Sequence, residues 1–263
     1  MTEVERAAAI LNAARPAVVF TGAGISTESG LPDFRSAGGL WTGVDPMEVA
    51  SLSAFRRHPE AFFEFYRTRL AHLAQARPNR AHVALAGMEA RGLTGVIITQ
   101  NVDGLHQAAG SAQVIELHGN LREAACPDCG WIGPIAVITD ALAGGVEPAC
   151  PVCTRTVKPN VVLFEELLPA GAYARAQAAC RRARALLVVG SSLQVTPAAA
   201  LPPMVREAGG SVVIINAEPT PYDADAAVVL RGQAGTLLPE LAAAAGRLGR
   251  NERDRKTLRS HDR

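Results

Sequence analysis

Five short runs rich in valine, isoleucine and leucine do most to limit what this chain can fold into: AVVF (17–20), GVIIT (95–99), ALLVVG (185–190), SVVIIN (211–216) and AAVVL (226–230), with VIEL (114–117) as a weaker sixth. The five do not alternate apolar with polar residues, so strands made from them must be covered on both faces, as in a mostly parallel sheet flanked by helices. Alanine-rich segments at 3–14, 80–91, 170–182, 197–208 and 236–247 are suited to be those helices. Two stretches break the alternation. Residues 36–79 contain no buried strand and read as helices and loops, and residues 119–160 carry a cysteine cluster. Both are expected to be insertions that together make a small lobe on a core of residues 1–35, 80–118 and 161–245. The charged stretch 246–263 is expected to be a disordered tail.

The cysteines narrow the small lobe further. Cys126 and Cys129 form CPDC, Cys150 and Cys153 form CPVC, and twenty residues lie between the pairs. In a reducing compartment this spacing favours one tetrahedral zinc site, a zinc ribbon, over disulfides. The alternative is two redox-active CxxC pairs, which normally open a helix in a thioredoxin-like unit; neither pair here does. Cys180, in an alanine and arginine context, reads as a small buried residue. No apolar run reaches membrane-spanning length and MTEVERAAAI lacks a signal-peptide layout, so the expected location is cytoplasmic. A net charge of +1 gives no field that recruits nucleic acid or anionic lipid.

The residues just after each strand run carry the chemistry. AVVF leads into TGAGIST, GVIIT into QNVDGLH, VIEL into HGN, ALLVVG into SSLQVTP and SVVIIN into AEPT. In an open parallel sheet the carboxyl ends of the strands are where ligands bind. Gly22, Ala23 and Gly24 let backbone N–H groups approach a phosphate, although a simple tight turn is an equally good explanation of GxG alone. A dinucleotide fingerprint would need a third glycine where Thr27 stands and an acid closing the second strand, and both are missing. His118 ends a strand beside Gln100, Asn101 and Asp103, a setting suited to a general base near neutral pH.

Together, GAGISTESGLPDFR (22–35), TQNVDGLH (99–106), ELHGN (116–120), the CxxC pairs, GSSLQVTPAA (190–199) and IINAEPT (214–220) resemble the sirtuins, NAD-dependent protein lysine deacylases, in matching order over residues 8–245. The resemblance implies an α/β fold, a Rossmann-like mostly parallel sheet with an inserted small lobe made of a zinc ribbon and a helical module. It implies NAD consumed as a co-substrate, one structural zinc, and acylated lysines of other proteins as partners. The 22–41 segment, including Ile25, Ser26 and Trp41, would wrap the pyrophosphate and nicotinamide ribose, with Phe34 shielding the reactive sugar carbon and Arg35 near the phosphates. Gln100, Asn101, Val102 and Asp103 would form the nicotinamide pocket. His118 would be the general base on a ribose hydroxyl, with Asn101 and Asp103 assisting. Gly190, Ser191 and Ser192, then Asn216, Ala217 and Glu218, would hold the adenosine half, with Ala234 contributing a backbone contact. The acyl-lysine would add as a strand between 161–165, through Val161, Val162 and Phe164, and 193–197. One position departs from the family: Glu165 stands where Phe-Gly-Glu is usual, so it is expected either to narrow the peptide groove or to force a different backbone angle, and Glu165→Gly to lower the peptide KM.

The segment HPEAFFEFYRTRL (58–70) poses a separate question. Phe62, Tyr66, Arg69 and Leu73 share one helical face, and that stripe holds no acid to partner Arg69. A snorkelling side chain is the simple explanation. Sirtuins that remove succinyl and malonyl groups carry a Tyr-x-x-Arg pair with an alanine sixteen residues before the tyrosine, and Tyr66, Arg69 and Ala50 match that spacing. The competing functions are a Rossmann-type dehydrogenase, a mono-ADP-ribosyltransferase on the same fold, and a nucleic-acid module marked by the ribbon. The stretch between the cysteine pairs contains no lysine or arginine, which counts against the last.

Overall fold

A computed structural model describes residues 1–34 and 39–261, with side chains through Gly249. The chain opens with α1 (Glu3–Ala13), whose first turn is closed by a capping box between Thr2 and Glu5. Strand β1 (Ala17–Thr21) follows. Three helices then form the helical module: α2 (Pro46–Val49), α3 (Leu52–Arg57) and α4 (Pro59–Gln75). Next come α5 (Arg80–Ala90), β2 (Thr94–Thr99), α6 (Leu105–Ala108) and β3 (Val114–Glu116). The ribbon consists of β4 (Gly119–Ala125), β5 (Ile132–Pro134), α7 (Ala136–Ala143) and β6 (Lys158–Val161). The chain closes with α8 (Ala170–Arg182), β7 (Ala185–Val189), α9 (Leu201–Glu207), β8 (Ser211–Asn216), β9 (Val228–Arg231) and α10 (Ala234–His261).

Six strands form one sheet in the order β3-β2-β1-β7-β8-β9, and every pairing is parallel. β1 and β7 are buried along their whole length, as expected of runs without alternation. One face packs on α1, α5 and α10 through a cluster including Leu11, Leu85, Ile97, Leu187 and Leu241. The other face packs on α8 and α9 through Phe20, Ile98, Leu186, Ala176 and Leu201. A third cluster joins the helical module to the ribbon: Phe55, Phe62, Phe63 and Tyr66 meet Leu121, Cys126, Ile138, Val157 and Leu163. A three-stranded antiparallel sheet, β5-β4-β6, carries this lobe.

α10 does not stop at Gly246 but runs to His261, helped by arginine, glutamate, lysine and leucine, all good helix formers. Leu248 still packs against the main core and Asn12 Nδ2 donates to the Ala245 carbonyl, which holds the helix past the point where composition alone suggests fraying. Among the described residues no helix is long and apolar enough to cross a membrane.

Candidate active site

Strand order reverses between β1 and β7, and the loops leaving these two strands meet there. Gly22 N donates to the Val189 carbonyl at 3.1 Å and Gly24 N to the Gly190 carbonyl at 2.9 Å. This approach is why glycine is needed. A Cβ on Gly22 would lie 2.8 Å from the Gly190 oxygen, and one on Gly190, at φ +61°, would collide with the Ile25 nitrogen. The Gly22 and Gly24 N–H groups are thus taken up by protein carbonyls, and the small residues leave a crevice at a topological switch point where a ligand can lie close to the backbone.

A second loop, after β2, is stitched to the first. Ser26 Oγ donates to Asp103 Oδ2 at 2.7 Å and accepts from Asn101 Nδ2 at 3.1 Å; Asp103 Oδ1 accepts from Leu105 N at 2.9 Å. Gln100 Oε1 accepts from Ser191 Oγ at 2.8 Å, which ties the loop after β2 to the loop after β7. Among the described residues Asn101 Oδ1 is buried with no hydrogen-bond partner, although its residue lines the central cavity. A buried acceptor of this kind suits a donor supplied by a ligand, such as a carboxamide or sugar hydroxyl.

His118 sits between β3 and β4 and faces the same cavity. Its Nδ1–H donates to the Gln100 carbonyl at 2.9 Å, which leaves Nε2 as the unprotonated nitrogen. Burial holds its pKa below the usual histidine value, and the Gln100 hydrogen bond offsets this only in part. The neutral, basic form therefore persists to lower pH than for a free imidazole. The acid limb of kcat/KM is expected to fall below about pH 6.5, the free-histidine value. A pH profile from 5 to 8 with its acid midpoint above that value would remove His118 from the titrating role.

The cavity, about 440 Å³, extends from these groups to the small lobe, where Ala50, Tyr66, Arg69 and Leu73 line it opposite Val161, Val162 and Phe164. Arg69 is not paired with a carboxylate among the described residues. Its guanidinium lies 5.5 Å from the Phe65 ring centre, 5.8 Å from Phe34 and 5.9 Å from Tyr66. Burial lowers its pKa from the ordinary value, with Tyr66 and Asp103 acting the other way. Tyr66 is buried and its pKa is raised to about 12, so the phenol stays protonated and able to donate. Phe34 stacks on Trp41 at 5.5 Å and Trp41 on Phe65 at 5.9 Å, so these two rings reach the small-lobe end of the cavity.

Further along the sheet edge, Asn216 Nδ2 donates to the Glu218 carbonyl at 2.8 Å and Ala234 opens α10, with Ala217 between them at the carboxyl end of β8. Ser192 is half-buried beside Ser191. Arg35 lies outside the described residues. In the ribbon, Cys126 and Cys153 Sγ are 3.5 Å apart, Cys129 and Cys150 Sγ 3.6 Å, and all four lie within 4.8 Å of one another. A tetrahedral zinc with bonds of about 2.3 Å needs sulfurs about 3.8 Å apart, so the four thiols fit the ion and leave no coordination position open.

A model of the Sir2 family matches residues 22–197. The chain belongs to the Sir2 family. It is similar to the NAD-dependent protein deacetylase of Sulfolobus acidocaldarius, 45% identical over 91% of this chain and 94% of that protein. NAD-dependent protein deacylase 2 of Archaeoglobus fulgidus is also 45% identical, over 94% and 97%. A solved Sir2–p53 peptide–NAD+ complex matches with TM-score 0.83 at 39% identity, covering 90% of this chain and 96% of that one.

This Sir2 chain also holds polar residues behind the site that motif reading passes over. His106 Nε2 is 2.9 Å from Thr21 Oγ1, which donates to Thr99 Oγ1 at 2.8 Å; Thr99 Oγ1 in turn accepts from Asn101 N at 3.0 Å. The His82 ring stacks edge-on against His106 at 5.0 Å, and its Nε2 lies 3.5 Å from Ser26 Oγ. Burial, with neighbouring His82, drives the His106 pKa down to about 3, so this ring stays neutral and serves as a hydrogen-bonding strut. Asn79 Nδ2, from the cap of α5, donates to the Ile25 carbonyl at 2.8 Å. The Asn79–His82 capping spacing is the one signal of this network that the sequence carries.

Proposed function

We propose that this Sir2-family chain removes acyl groups from lysine side chains of other proteins with consumption of NAD, and that it accepts acyl chains ending in a carboxylate as well as acetyl. NAD, when bound, supplies the ribose carbon that receives the acyl oxygen as nicotinamide leaves. The chain's own residues position and exclude. The Gly22–Gly24 turn, free of bulky side chains, lets the phosphates lie close to the backbone, while Asn101, with its free acceptor, and Asp103 orient the carboxamide. His118 Nε2 takes a proton from a ribose hydroxyl, which makes that oxygen a nucleophile toward the acyl carbon. Phe34 and the half-closed cavity keep water from the sugar carbon, since a cation-like transition state needs shielding more than it needs a strong protein nucleophile. The acylated lysine enters beside Val161–Phe164, whose backbone is aligned by Val162 N donating to the His118 carbonyl at 2.9 Å. The lysine amine then leaves the acyl carbon and one water adds to the ribose-bound acyl group, so NAD, acyl-lysine and water give nicotinamide, the freed lysine and O-acyl-ADP-ribose. The relatives' names are those of deacetylases and deacylases, so the ADP-ribosyltransferase alternative has no comparable support.

The observation that carries the acyl preference is Arg69: a guanidinium caged by three aromatic rings, lining the cavity, with no carboxylate paired to it among the described residues. A distal carboxylate on the acyl chain gives it a two-pronged partner, Tyr66 adds a second donor, and Ala50 leaves room for the longer chain. Incubation with acetyl- and succinyl-lysine peptides and NAD, followed by mass spectrometry, tests the activity. Arg69→Met should raise the succinyl-peptide KM at least tenfold, in line with the ~1.5–3 kcal/mol of a hydrogen bond to a charged group, and largely spare deacetylation. Equal losses on both substrates would make Arg69 structural and the protein a plain deacetylase.

A further inference from the structure

Glu165 is one of three non-glycine residues with positive φ among the described residues, at +75°. This is a backbone region that disfavours any side chain larger than glycine's. The Glu165 side chain is carried on a left-handed turn. The Glu165 carboxylate is taken up by Ser53. Oε2 accepts from Ser53 N at 2.8 Å and Oε1 from Ser53 Oγ at 3.0 Å. Ser53 is the second residue of α3, so its N–H has no intrahelical acceptor and needs one from elsewhere. The two Ser53 hydrogen bonds, with Arg57 nearby, hold the Glu165 pKa below the usual glutamate value.

The bond closes a join between the lobe's two walls. Ser51 and Phe164 form a parallel bridge, with Leu52 N donating to the Phe164 carbonyl at 3.1 Å and Phe164 N to the Ala50 carbonyl at 3.0 Å. Ala50 belongs to the wall of the acyl cavity, and Phe164 to the strand beside which the substrate lysine lies. The next residue is tied the opposite way. Glu166 Oε2 pairs with the buried Lys158 Nζ at 3.0 Å and accepts from Leu163 N at 2.8 Å. Two consecutive carboxylates thus fasten the turn after Phe164 to the helical module on one side and to β6 of the ribbon on the other.

We propose that Glu165 is a positioning residue that clasps α3 through Ser53 and so fixes the spacing between the substrate strand and the Ala50 wall of the acyl cavity. The side chain is directed to Ser53, which reverses the expected effect of removing it: release of the clasp widens the cavity and weakens the acyl-peptide complex. The inference rests on the deacylase reading but not on succinyl preference, because it is read with an acetyl-lysine peptide.

The test uses the zinc-loaded full chain with Glu165→Ala, Glu165→Gly, Glu165→Gln, Ser53→Ala and the Glu165→Ala/Ser53→Ala double variant. Both the alanine and glycine variants should raise the acetyl-peptide KM by about threefold to tenfold, the scale of one or two exposed charge-assisted hydrogen bonds, with a much smaller change in NAD KM. Glu165→Gln, which keeps an acceptor for Ser53 N, should recover part of the loss. The double variant should be no worse than Glu165→Ala, since both changes remove one interaction. Glu165→Gly relieves the backbone angle, so it guards against a folding defect in the alanine variant. A lower KM in Glu165→Gly means that the side chain obstructs the groove, and that outcome overturns the clasp, as does an unchanged KM or full additivity in the double variant. Loss of all turnover in every variant, the wild type included, would point instead to failure of the deacylase reading.

Discussion

Replacing His118 with alanine is expected to lower kcat by two to four orders of magnitude while NAD still binds measurably. That is the usual span for a positioned general base, about 3–5 kcal/mol of barrier. The geometry explains why the loss should fall on turnover. Among the described residues the imidazole makes one hydrogen bond, Nδ1–H to the Gln100 carbonyl, and its residue lines the cavity. The glycine turns, Ser26, Asn101 and Asp103 that shape the co-substrate site hold one another without it. Titration of the variant with NAD by calorimetry, beside a steady-state assay, separates the two effects. Near-normal turnover would take His118 out of the mechanism. Unfolding, seen as a lost thermal transition, would assign it a structural role instead.

Stripping the metal, or changing Cys126 to serine, is expected to abolish activity although no cysteine faces the cavity. Four closely gathered thiols leave no open position for chemistry, so a bound zinc acts on structure alone. Its effect is transmitted by the cluster that Cys126 and Cys150 share with Phe62, Tyr66, Val157, Val161 and Leu163. β4 runs directly from Gly119, next to His118, toward Cys126, and β6 brings Val161 back to the cavity. Melting the ribbon therefore loosens both small-lobe walls of the cavity, Tyr66 and Val161–Leu163, while the six-stranded sheet has its own two cores. Hydrogen exchange should show loss of protection confined to residues 119–161 and the helical module. Metal-free protein that keeps its fold and full activity would show the zinc to be dispensable.

Much of the architecture can be read from local pattern because the parallel sheet is insulated on both faces. Buried strands such as AVVF and ALLVV tolerate no polar interruption, so their runs mark them and their boundaries shift by only a residue or two. Likewise α8 begins and ends at the predicted residues 170 and 182. The anchoring of α10 near Ala245 is not a matter of local pattern: Leu248 packs on the main core and the Ala245 carbonyl accepts from Asn12 of α1, at the far end of the chain.

The candidate site divides along the same line. Glycines, the four cysteines and the residues at strand ends are confined to segments whose spacing carries their meaning, so the sequence alone picked out the four cysteines that the fold gathers and the glycine turn and His118 that lie at the strand ends. It could not determine what those groups touch. That Nδ1 of His118 binds the Gln100 carbonyl, that Arg69 stands among three rings with no carboxylate paired to it among the described residues, that His106 is a neutral strut, and that the Glu165 carboxylate is held by Ser53 are all facts of tertiary packing. Glu165 and Ser53 are 112 positions apart, and Thr21 and His106 are 85 apart. No local period links such pairs. Only the closure of the sheet and the docking of the small lobe bring them within hydrogen-bonding range, where desolvation then sets their charge and their role.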